Sequence, residues 1–144
     1  MEHDFVLEWF RFADRDLNSA EYLFTMHPQP YEIICYLCQQ SVEKHLKGYL
    51  IFKGITEPPK IHNLETLNDL CKEYDELFEA NSKLCSILTP YGVQPRYPNE
   101  IHIEEHHMQK ALEYAKQIKD FAPLQAVKTE LKKTFSDETP IAEE

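Results

Sequence analysis

Apolar residues recur along this chain at three- and four-residue steps, the signature of amphipathic helices, and no stretch alternates in the two-residue rhythm of a strand. Phe5, Trp9, Phe12, Asp16, Ala20 and Leu23 mark a first helix over about residues 3–26. His27-Pro28-Gln29-Pro30 ends it, because proline disfavours helical geometry in the residue before it. A second helix is expected over about residues 31–53. Its apolar positions Ile33, Ile34, Leu37, Cys38, Val42, Leu46, Tyr49 and Leu50 cover more than one face, as in a helix packed on two sides. Gly54 fits a left-handed cap at its end, and Pro58-Pro59 begin an extended link. Asn63 is a natural N-cap for a third helix over about 64–74, and a further helical stretch is expected over about 75–88.

Residues 89–95 (Thr-Pro-Tyr-Gly-Val-Gln-Pro) break the regularity. Flanked by Pro95 and Pro98, Arg96-Tyr97 reads as extended chain. The last main helix is expected over about 104–122, with Met108, Ala111, Leu112, Ala115, Ile118 and Ala122 as its stripe and Glu104 and Glu105 at its positive end. Pro123 marks a kink or stop. The pattern predicts an all-α protein, an antiparallel up-and-down bundle of four to five helices. It spans residues 1–123, with 124–144 as a polar, partly disordered C-terminal extension that holds a short helix over about 127–135.

Composition narrows the function classes. A chain of 144 residues that is 42% hydrophobic suits one domain with a real core. No apolar run is long enough to span a membrane, and Met1-Glu2-His3-Asp4 lacks the basic start of a secretory signal, so a cytoplasmic location is expected. The net charge of −10 speaks against a broad nucleic-acid-binding surface, leaves room for a local basic cleft, and suits a basic protein partner. Cys35 and Cys38 have the spacing of a zinc pair. Cys71 and Cys85 do not form a second one, and the apolar helix around Cys35 and Cys38 points to core cysteines.

The candidate chemistry lies around Arg96-Tyr97-Pro98-Asn99-Glu100-Ile101-His102. Arg96 supplies a permanent cation with a planar donor fork, and His102 a group able to move a proton near neutral pH. Lys44, Lys47 and His62 offer contacts to a phosphate, although lysines on a long helix are more often solvated, and Glu43 with Lys47 has the spacing of an ordinary surface pair. Tyr91 and Tyr97 could stack on a base or fill the edge of the core. Asp16 falls on the apolar stripe of the first helix and needs a partner, either Arg96, Lys44 or Lys47. His102, His106 and His107 cluster without completing a ligand set, so neither a metal nor a cofactor is expected.

In five places the chain resembles the small prokaryotic HEPN-domain proteins (higher eukaryotes and prokaryotes nucleotide-binding). These are Trp9, Ala13, Asp16, Leu17 and Ala20; the block Gln39-Gln40-Ser41-Val42-Glu43-Lys44; Gly54; His62-Asn63-Leu64; and Leu88-Thr89-Pro90-Tyr91 running into Arg96-Tyr97-Pro98. The likeness covers about residues 5–122. It implies a homodimeric binding module whose partner is a small nucleotidyltransferase, as in toxin–antitoxin pairs, or nucleotide itself. The alternative it implies is a metal-independent ribonuclease that uses Arg96 and His102 across two protomers on RNA. Tyr97-Pro98 departs from the strongest form of that nuclease motif, in which a small polar residue follows the arginine. A third reading is a helical scaffold in which Arg96 pairs with Asp16 and pins its loop to the bundle.

Overall fold

The second helix collects the rest of the chain around itself. In the computed structural model, which describes residues 2–92 and 102–138 (side chains of 4–92 and 102–133), the described residues form six α-helices: α1 (Glu2–Leu23), α2 (Tyr31–Phe52), α3 (Leu64–Lys72), α4 (Ser82–Leu88), α5 (Glu105–Lys119) and α6 (Ala122–Glu138). Two 3-10 segments, Glu76–Asn81 and Thr89–Gly92, flank α4. The protein is all-α, as the periodicity predicts.

α2 packs against α1, α3, α5 and α6. Its Ile34, Cys35, Cys38, Val42, Leu46 and Leu50 are wholly buried, which is why its apolar residues run around more than one face. It ends as expected at glycine. Gly54, at φ +112°, lets its own N–H reach Ile51 O and the Ile55 N–H reach Leu50 O. That is the paired closure that satisfies the last carbonyls of a helix. Asn63 caps α3 through Oδ1, which accepts from the Thr66 N–H at 3.1 Å.

α1 departs from the expected register. The buried face is Val6, Phe10, Ala13, Leu17 and Ala20, whereas Phe5 and Phe12 are exposed. The reason is close approach. Phe10 lies so near the bare Cα of Gly48 that a Cβ there would come within 2.9 Å of its ring, and Ser41 Oγ donates to Ala13 O at 2.8 Å. Phe10 meets Gly48 while Ala13 meets Ser41, so the two helices run in opposite directions. Small residues set this seam. The bulky stripe of Phe5, Trp9, Phe12 and Asp16 is turned toward its edge.

The helix expected over 75–88 is split. Asn68, buried on α3, donates to Phe78 O at 2.9 Å, taking a carbonyl that would otherwise serve an α-helical bond. The segment winds as a 3-10 turn until Ser82. Phe78 fills the gap this leaves, with its ring 4.6 Å from Tyr49 and 4.9 Å from Phe121.

Pro123 begins a helix where a kink or stop was expected. It lies in the first turn of α6, where a missing N–H costs nothing. α6 runs well past the expected short helix and buries Leu124, Val127 and Leu131 in the core. All four cysteines are buried and free. Burial pushes the thiols of Cys35 and Cys85 up to about 12 and those of Cys38 and Cys71 higher still, which leaves them inert hydrophobes. Among the described residues no helix is long and apolar enough to cross a membrane.

Candidate functional site

Four polar residues meet on one side of α2. Gln39, Glu43 and Lys47 follow one another at four-residue steps, one turn apart. All three are buried. Lys47 Nζ donates to Glu43 Oε2 at 3.0 Å, and His62 Nδ1 lies 3.1 Å from the same oxygen. Gln39 Nε2 donates to Glu43 Oε1 at 3.1 Å and to His62 O at 3.2 Å, while its own Oε1 accepts from Gln40 Nε2 at 2.7 Å.

Glu43 is therefore the hub. Burial raises its carboxyl, but the hydrogen bonds from Lys47, Gln39 and His62 outweigh burial and hold it below its ordinary value. The imidazole of His62 is 77% exposed. With Nδ1 turned to Glu43, Nε2 is the nitrogen it offers to a ligand.

The 3-10 turn Thr89–Gly92 lies over this cluster. A Cβ on Gly92 would come within 2.9 Å of the Gln39 amide, so glycine lets the backbone rest directly on that side chain. Thr89 Oγ1 secures the turn, accepting from the Leu64 N–H at 3.1 Å and donating to Cys85 O at 2.7 Å. The segment holding Arg96 and Tyr97 follows Gly92 directly; both residues lie outside the described residues.

The remaining candidates fall into separate places. Asp16 pairs with Lys44 at 2.5 Å, both side chains being largely covered, so Lys44 belongs to an α1–α2 contact and Lys47 to the Glu43 cluster. Neither is the solvated lysine, nor Glu43–Lys47 the surface pair, that their spacing suggests. His102 precedes α5, is 82% exposed, and lies 2.9 Å through Nε2 from Glu104 Oε2. Glu104 is held below its ordinary value by that contact. His107 turns back to accept from the Glu104 N–H at 2.9 Å, so it caps α5. Among the described residues no three His, Cys, Asp or Glu side chains come together as a metal site.

From its spacing alone Glu43 reads as half of a surface pair, and Gln39 carries no functional signal of its own. A second polar set, with no counterpart in the sequence pattern, lies on the other side of α2, where Asp14 and Lys128 meet the wholly buried His45. The available signal is polar residues at four-residue steps, Gln39, Glu43 and Lys47, on a helix whose apolar residues cover more than one face.

The arrangement offers an exposed imidazole fixed by a buried carboxylate, beside a backbone turn that leads to an arginine and a tyrosine. Such a set can hydrogen-bond phosphate or a base edge, and the charge of Lys47 is already matched by Glu43. No curated protein matches the sequence. The fold is similar to that of TT1696 from Thermus thermophilus, with a TM-score of 0.70 and 22% identity over 85% of this chain and 97% of that one. A family model, HEPN domain, matches residues 6–125. That match runs from the first turns of α1 through α5 and takes in the whole Gln39–Glu43–Lys47–His62 cluster, and the chain belongs to the HEPN-domain family.

Proposed function

We propose that this chain is a nucleotide-binding HEPN module that works as a homodimer with a small nucleotidyltransferase partner, as in toxin–antitoxin pairs. The observation that supports this most is the connected cluster of Gln39, Glu43, Lys47 and His62, placed under the turn that leads to Arg96 and Tyr97. In this reading His62 Nε2 and the Arg96 fork meet phosphate, and Tyr97 stacks on the base. Glu43 orients the imidazole, and Lys47 balances Glu43. The net charge of −10 suits a basic protein surface better than bulk RNA. Affinity capture of the tagged protein from its own host, read by mass spectrometry, is expected to recover a nucleotidyltransferase. Sedimentation is expected to give a dimer. Capture without a nucleotidyltransferase, from a monomeric protein, contradicts the proposal.

One observation favours a second reading. His102 is exposed and oriented by the Glu104 carboxylate, an arrangement suited to moving protons. As a metal-independent ribonuclease, the protein would use His102 for proton transfer and Arg96 to stabilise the phosphate. RNA cleavage in EDTA that is lost in both Arg96→Ala and His102→Ala supports this reading. Intact RNA with the wild-type protein removes it.

A further inference from the structure

α6 is fastened to the bundle by a buried polar contact that the nucleotide reading does not use. His45 lies on α2 with its side chain wholly buried. Its Nδ1 lies 3.0 Å from Ser41 O, an oxygen that can only accept, so Nδ1 carries the proton and Nε2 is the acceptor. Lys128 of α6 brings Nζ within 3.2 Å of that Nε2. The Phe10 ring walls the pair off, 5.9 Å from the imidazole ring and 5.5 Å from the ammonium. This is a lysine donating to a neutral histidine, a bond that exists in only one protonation state of the ring.

We propose that Lys128 and His45 form a proton-sensitive latch: α6 is held while His45 is neutral, and protonation of the imidazole releases α6 from the bundle while α2 stays folded. A proton on Nε2 removes the acceptor and sets two cations 3.2 Å apart, one of them on a wholly buried ring.

The charges around the imidazole come from each element packed on it. α1 contributes Asp14, whose Oδ1 is 3.6 Å from His45 Nε2 and 3.8 Å from Lys128 Nζ, too far for a hydrogen bond to either. α6 contributes Lys128, with Lys132 one turn beyond acting on it. Lys119 at the end of α5 and the neighbouring Asp120 act on the same group with opposite signs. α2 itself contributes the Ser41 carbonyl. Asp14 is the group that favours a charged imidazole, through an Oδ1 that is covered and accepts no hydrogen bond, while the side chain as a whole is more than one-third exposed. Burial, and then the cation of Lys128, work against the protonated ring, and His45 is held below its ordinary value. Burial likewise holds Lys128 low. Release uncovers Leu124, Val127 and Leu131, which the docked helix buries.

Hydrogen–deuterium exchange of the full-length protein tests the latch. Amides of residues 122–138 are compared with those of Leu46 and Leu50 as the pH is lowered, after correction for the intrinsic exchange rate. One proton taken up on opening predicts that α6 opening rises about tenfold per pH unit as the pH falls from the ordinary histidine value of 6.5, regained on release, toward the lowered value of the docked state, with α2 unchanged. In His45→Gln the side chain still accepts from Lys128 but does not titrate, so the dependence on pH is lost. In Lys128→Met, α6 exchanges faster at every pH and acid speeds it by a smaller total factor, because the facing cation is gone while the burial of His45 remains; this result decides the matter if His45→Gln does not fold. The latch is overturned if wild-type α6 shows no pH dependence, if α2 opens in step with α6, or if acid speeds α6 opening by the same total factor in Lys128→Met as in the wild type.

Discussion

His62, exposed on the link before α3, reaches down to Glu43, buried on α2, with Nδ1 3.1 Å from Oε2. Because the same oxygen accepts from Lys47 at 3.0 Å, one buried carboxylate holds both a structural cation and the exposed imidazole.

Removing that carboxylate strands the ammonium of Lys47, whose side chain is only 7% exposed. Breaking one side of a buried pair is far more damaging than replacing both. Glu43→Gln is expected to destabilise the fold by about 3 kcal/mol, and Glu43→Gln with Lys47→Met by clearly less. Urea unfolding of the two variants checks this; an equal loss in both contradicts it.

The same pair predicts a pH dependence. Glu43 is held below its ordinary value of 4.5 in the fold, so at low pH the unfolded chain binds more protons than the native one. Its contribution is therefore complete above the ordinary value and is lost as the pH falls through the lowered one. The difference in unfolding midpoint between wild type and Glu43→Gln is expected to be constant from neutral pH down to the ordinary glutamate range and to shrink below it. A difference that grows on acidification contradicts the assignment.

Gly92 rests on the amide of Gln39, which cannot move aside because Glu43 and the His62 carbonyl hold it. Gly92→Ala is expected to destabilise the protein by about 1–3 kcal/mol, as overpacking does in a full core. In a Gln39→Ala background the added methyl meets no amide, and the increment is expected to fall close to zero. Thermal or urea unfolding of the four proteins gives the cycle.

Asp16 and Lys44 pair across α1 and α2 with side chains 16% and 22% exposed. Partial exposure keeps the expected loss small, about 1 kcal/mol for Asp16→Ala. Nucleotide binding is expected to be unchanged in this variant, because the pair lies apart from the Glu43 cluster. Weakened binding at full stability would place Asp16 in the site.

The helix limits were legible where single residues enforce them. Pro28 and Pro30 separate α1 from α2, Gly54 supplies the positive φ that closes α2, and Asn63 caps α3. The buried face of α1 was not legible, because two apolar stripes lie side by side on it. The bulkier stripe, through Phe5 and Phe12, suggested itself, whereas the tight seam with α2 is made by Ala13 and by Phe10 against Gly48. The split of α4 from the 3-10 turn before it depends on Asn68 taking Phe78 O from ten residues away, a contact no local pattern contains. In the site, Lys47 and His62 stood out singly, but their convergence on Glu43 joins residues nineteen and four positions apart. The Asp14–His45–Lys128 set spans α1, α2 and α6, and Lys128 lies in a segment whose composition reads as polar tail.

Calorimetric titration of nucleoside triphosphates into the wild-type protein, His62→Ala and Arg96→Ala tests the central claim most directly. Binding by the wild type, weakened about tenfold or more in each variant, is the predicted result, since each variant removes a hydrogen bond to a charged phosphate. No binding by the wild type, or equal binding by all three proteins, would contradict a nucleotide site at the Glu43 cluster.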